Sequence, residues 1–141
     1  ERNQMFVKEQ ASIVRKEWSA FIDKVLHEKP TLIKRNRDQI AALSLDHLDA
    51  LLSSVRFSIH VLHEEDGSWT VVLDNIDLAV NSKTREEALE LLAQDLMEYA
   101  QEYWDNFDLY YRSTNRRHHF PYVVKVLLQK DLKAVISLFN A

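Results

Sequence analysis

The chain of 141 residues has no cysteine. That excludes disulfides, thiolate metal sites and a cysteine nucleophile. It has a single glycine, Gly67, too few to build a phosphate-cradling loop. No apolar run reaches the length of about 18 residues that a membrane-spanning helix needs. No apolar h-region follows the first residues, so a secretory signal is not expected there. No serine sits in a nucleophile elbow, and there is no internal repeat or low-complexity tract. Positive charge is scarce in the middle. Residues 55–112 hold 4 Lys/Arg against 13 Asp/Glu, net −9. Residues 1–54 hold 9 against 8, and residues 113–141 hold 5 against 1.

What is present is enough to fold. At 46% hydrophobic the chain can bury a core, so global disorder is not expected. The length suits one domain or two very small ones. The uneven charge argues for segments with different partners. An acidic middle would repel nucleic acid, so any DNA contact is expected from the first third or the tail.

Residues 11–28 read as one amphipathic helix, with Val14, Trp18, Phe21, Ile22 and Val25 at three- and four-residue spacing. Ser12 is the expected N-cap, and Pro30 lies just past the end. Thr31 to Arg35 predicts a strand, residues 36–39 a turn, and Ile40 to Leu43 a second strand. Ser44 would cap a short helix carrying Leu45, Leu48, Leu51 and Leu52 on one face. The core of this unit is small, so dimerisation or packing on the next segment is expected.

An alternating run from Val55 to Val61 predicts the first strand of a hairpin, with Phe57, Ile59 and Val61 on one face. Asp66-Gly67 supplies the turn. Trp69 to Leu73 is the second strand, and Leu78 to Val80 a third. Thr84 and Glu87 form a capping box. They open a long helix expected to bury Ala88, Leu91, Leu92, Leu96, Tyr99 and Tyr103, with Glu86, Glu90, Glu98, Glu102 and Asp105 on its other face. From Tyr110 to His119 a polar, basic connection is expected. Pro121 then starts a helix with Val123, Val124, Leu127 and Leu128 apolar. Asp131 caps a last one with Leu132, Val135, Ile136, Leu138 and Phe139. These two helices could dock a partner or complete the chain's own core.

Catalytic patterns are weak. His60 and His63 are three apart on an alternating segment, so they point to opposite faces rather than forming a zinc pair. Adjacent His118 and His119 lack a third ligand. Asp66, Asp74 and Asp77 could be a magnesium cluster of nuclease type, but each is better explained as a turn residue. No enzyme, metal or cofactor is expected.

The first third resembles the Phd/YefM antitoxin family. Ser12 and Arg15 stand where that family opens its first helix. Pro30, then Ile33-Lys34-Arg35, then Ala42-Leu43-Ser44-Leu45-Asp46 follow its later signatures, with Lys34 in place of the usual Thr and without the usual hairpin glycine. The middle resembles a HicB-type unit, through Glu65-Asp66-Gly67-Ser68-Trp69 and Thr84-Arg85-Glu86-Glu87-Ala88. The usual proline and glycine before the helix are missing. Together the two look like a RelB-type antitoxin.

The resemblance implies an α+β fold in three parts. Residues 1–54 would be a Phd-like β-α-β-β-α unit for dimerisation and DNA binding. Residues 55–112 would be a HicB-like hairpin and long helix, and residues 113–141 a basic loop with C-terminal helices. It also implies a cytoplasmic homodimer that represses its operon and neutralises a RelE-type ribonuclease toxin. Operator DNA would be met by Arg15, Lys16, Lys34, Arg35 and Arg37. The toxin would be met by Val123, Leu127, Leu128, Leu132, Val135 and Phe139. Two alternatives stay open: an interaction or dimerisation module without DNA binding, and a metal-dependent nuclease using Asp74 and Asp77.

Overall fold

Two separate apolar cores organise residues 6–139, which the computed structural model describes. One compact unit runs to Leu51 and the other starts at Leu52.

The first unit begins with β1 (Lys8–Gln10), which pairs parallel with β2 (Thr31–Arg35). Parallel neighbours need a crossover connection, and α1 (Ala11–Lys16) and α2 (Trp18–His27) supply it. β3 (Asp38–Ala42) adds antiparallel to β2, giving the order β1-β2-β3. Asn36 makes the β2–β3 turn at φ 57°. Asparagine tolerates the left-handed region, so the hairpin closes without a glycine. Val14, Phe21, Val25 and Ile33 form the core. Lys24 is tied to Glu9 of β1 by an ion pair, and this bond raises the Lys24 pKa.

Three local expectations are corrected here. The single helix over 11–28 breaks at Glu17, whose φ of −117° and ψ of 47° end α1 and begin α2. Val14, Phe21 and Val25 keep their inward spacing across the break, so periodicity does not reveal it. Ser12 is not the N-cap: Gln10 occupies that position, without a side-chain bond. β3 starts at Asp38 rather than Ile40.

Ser44 does cap α3 (Leu45–Leu51), its Oγ accepting from the His47 N–H at 3.2 Å. Yet α3 buries none of its residues, and Leu45 and Leu51 are 67% and 70% exposed. The expected leucine face is therefore open on the α3 side, while Leu52 is buried and belongs to the second unit.

In the second unit β4 (Ile59–His63), β5 (Trp69–Leu73) and β6 (Leu78–Ser82) form an antiparallel sheet, with Val61, Val71 and Val80 in register. Gly67 takes φ 89° in the hairpin. Asp66 accepts from the Ser68 N–H and hydroxyl at 2.9 and 2.6 Å, which lowers its pKa. The first strand starts at Ile59, later than the alternating run suggests, although Phe57 is still buried. Asp77, at φ 64°, turns the chain from β5 into β6.

Thr84 caps α4 (Arg85–Asp105), its hydroxyl accepting from the Glu87 N–H at 3.1 Å. α4 buries Ala88, Leu89, Leu92, Ala93, Leu96, Ala100 and Tyr103. Leu91, expected inside, is exposed. Where a polar connection was expected, α5 (Phe107–Arg112) and a 3₁₀ turn (Arg117–His119) stand instead. Aromatic edges hold this stretch. Phe107 stacks on Tyr111 with ring centres 5.2 Å apart and meets Phe120 edge-on at 5.3 Å.

Pro121 lies in the first turn of α6 (Phe120–Leu127). Asp131 caps α7 (Leu132–Leu138), accepting from the Ala134 N–H at 2.9 Å. Both helices pack into the same core as the sheet and α4. Lys125 of α6 donates to the carbonyls of Leu52 and Val55 at 3.0 and 2.8 Å, clasping the start of the unit.

Candidate DNA- and partner-binding surfaces

The five cations expected to meet DNA lie within the first unit, on two elements and the turn after the second. Arg15 and Lys16 occupy the last turn of α1, and both are exposed. Lys34 and Arg35 end β2, and Arg37 follows in the turn. The β1–β2 register sets Lys34 beside Gln10, the residue at which α1 begins. One end of the sheet thus carries the hairpin cations and the start of the helix that bears the other two. Lys34 is half-buried, while Arg35 and Arg37 are exposed.

The same unit leaves much apolar surface open. Besides Leu45 and Leu51, Trp18, Leu26 and Ile40 are more than half exposed. They surround an apolar core of four residues. His47 Nδ1 is also buried with no hydrogen-bond partner among the described residues. An orphaned polar atom of this kind costs stability.

The tail residues expected to meet a toxin divide by burial. Val123, Val135 and Phe139 are buried in the core of the second unit. In the folded chain these three side chains offer little or no surface. Leu127, Leu128 and Leu132 are half-buried and reach the surface. The sequence shows which tail residues are apolar. It does not show that the sheet and α4 need them to close their own core.

The residues considered for chemistry are held in structural roles. His60 Nε2 pairs with Asp74 at 2.6 Å, and His63 stacks on Trp69 at 4.0 Å. No group of three or more metal-ligating side chains able to hold an ion occurs among the described residues. One cleft, of about 570 Å³, does bring distant residues together. Asp74 and Asp77 of the β5–β6 turn form one wall, and Arg116, His118 and His119 form another.

In that cleft the His119 ring is buried, and its Nδ1 lies 2.6 Å from the Tyr99 hydroxyl. Burial pushes Tyr99 up to about 12, so the phenol keeps its proton. Burial, helped by His118 and Arg116, lowers the His119 pKa. Arg116 lies over the Tyr110 ring at 4.5 Å. This neutral Tyr–His pair fixes the entry into α6. Helical spacing placed Tyr99 inside, but nothing in the sequence joined it to His119.

Residues 5–141 match the PHD-like family, described as antitoxin of toxin-antitoxin, RelE/RelB, TA system; the chain belongs to that family and is an antitoxin of a toxin-antitoxin system. A crystal structure of an antitoxin part of a toxin/antitoxin system from Syntrophomonas wolfei subsp. wolfei is 34% identical to it. The two superpose with a TM-score of 0.89 over 95% of this chain and 96% of the other. No curated protein matches the sequence. No described helix is long and apolar enough to cross a membrane.

Proposed function

We propose that this antitoxin neutralises a RelE-type ribonuclease toxin by direct binding and represses its own operon as a homodimer on operator DNA. A cytoplasmic, non-enzymatic protein built from a Phd/YefM-like unit and a HicB-like unit fits that reading. The observation that carries the DNA half is the placing of Arg15, Lys16, Lys34, Arg35 and Arg37 in one small unit whose apolar surface is uncovered. A second copy would cover Leu45 and Leu51 and double the cation set. Lysine and arginine contacts to phosphate position a protein on the duplex, while a few arginines read bases. A two-fold dimer calls for a roughly palindromic operator. For the toxin half, Leu127, Leu128 and Leu132 reach the surface of the tail helices, with Val123, Val135 and Phe139 supporting them from beneath.

The test is an electrophoretic shift with the antitoxin's own promoter region across a salt series. Wild type should give a specific complex that weakens steeply with salt. Arg15→Ala should weaken it and flatten the slope of log K against log salt by about 0.9 for each lost phosphate contact. No salt-dependent specific complex removes the DNA half. The exposed apolar residues of the first unit also favour a second reading, an interaction module without DNA binding. It would show tight co-purification with a partner and no specific shift.

A further inference from the structure

We infer that the toxin-binding surface extends to the α4–α5 corner of the second unit, where an exposed apolar ridge rimmed by carboxylates receives a cationic side chain from the toxin; this rests on the toxin-binding reading above. Met97 and Trp104 stand two helical turns apart on one side of α4, and residues seven apart share a helix face. Trp104 is 49% exposed, and its ring meets Phe107 of α5 edge-on at 5.5 Å. Beyond it Leu109 is 70% exposed. A concavity of about 520 Å³ opens at this corner, lined by Asp105, Asn106, Phe107, Asp108, Leu109 and Arg112.

The electrostatics say what would fill it. A helix C-terminus carries partial negative charge and is ordinarily matched by Lys or Arg. The last turn of α4 has no basic residue and holds Glu102 and Asp105 instead. Among the described residues Asp105 accepts from the neutral Gln101 amide, at 3.0 Å, and Asp108 from the exposed Arg112, at 3.0 Å. The surrounding segment 55–112 is net −9. An incoming arginine would complete this end of the helix, bridging Asp105 and Asp108 and stacking its planar group on Trp104. Leu109 and Met97 would take the apolar rim of the same partner. DNA is repelled here, which separates this face from the cationic end of the first unit.

The experiment measures binding of the protein encoded beside this gene to purified full-length variants by calorimetry. Trp104→Ala with Leu109→Ser should weaken binding by at least a hundredfold, with unchanged far-ultraviolet circular dichroism. Asp105→Asn with Asp108→Asn should weaken binding and reduce its salt dependence. Wild-type affinity in both double variants overturns the inference and leaves the toxin reading standing. No binding by wild type overturns both. Unchanged operator shifts by the Trp104 and Leu109 variant would show that the loss is confined to the toxin face.

Discussion

The second unit closes its core and the first does not. In the second, sheet, α4 and tail helices enclose Val71, Leu73, Leu92, Leu96, Tyr103, Val123 and Val135 almost completely. In the first, the apolar core has four residues, and Leu45 and Leu51 of α3 lie in the open. The difference follows from length. Small units bury a smaller share of their surface and are correspondingly marginal, so the first unit has less core to hold it than the second.

The largest expected effect breaks that contrast from the weak side. Phe21→Ala removes the largest of four core residues and should cost about 3–5 kcal/mol. Hydrogen exchange should then lose protection before Leu51 and keep it from Leu52 onward. In the second unit Leu92→Ala should cost about 2–5 kcal/mol, yet leave that unit folded at 25 °C because its remaining core is large. Loss of protection in both units from either change would mean that they fold as one.

A smaller effect tests the need for company. If a second copy covers Leu45 and Leu51, stability of the first unit should rise with protein concentration. Mass action gives about 2.7 kcal/mol at a hundred times the dissociation constant. Leu45→Glu with Leu51→Glu should abolish that dependence in thermal melts, while the transition of the second unit stays where it was.

The smallest effect is in acid and belongs to the second unit alone. His119 has an ordinary pKa of 6.5 when unfolded and a lower one when folded. Between those values the unfolded chain holds a proton that the folded chain does not, so stability falls as pH drops below about 6.5 and levels off under the folded value. His118, Arg116 and Asp77 act on the same ring, the first two lowering its pKa and the last raising it. Chemical denaturation from pH 7.5 to 5 should show this fall, and His119→Gln should flatten it.

Much of this architecture was legible in the chain. Thr84, Asp131 and Ser44 announced helix starts through local chemistry, and Gly67 announced a turn, because a cap or a positive φ depends on neighbours in sequence. What stayed hidden depends on neighbours in space. The break at Glu17 leaves the apolar spacing intact. Leu89 rather than Leu91 faces inward, because the rotation of α4 is set by the sheet it packs on. The tail valines look alike in sequence, and only packing divides Val123 from Leu127. Of the candidate site, the cations and the acidic excess were readable from composition. The α4–α5 corner was not, since α5 replaced an expected loop.

The clasp of Lys125 on Leu52 and Val55 has a consequence for synthesis. The ammonium is 73 and 70 residues later in the chain than the carbonyls it holds. On the ribosome those carbonyls, and the core places of Val123 and Val135, stay unfilled until α6 and α7 have emerged. The unit therefore cannot close before then, and any message or nascent chain cut short before α6 yields an antitoxin whose second unit is never finished.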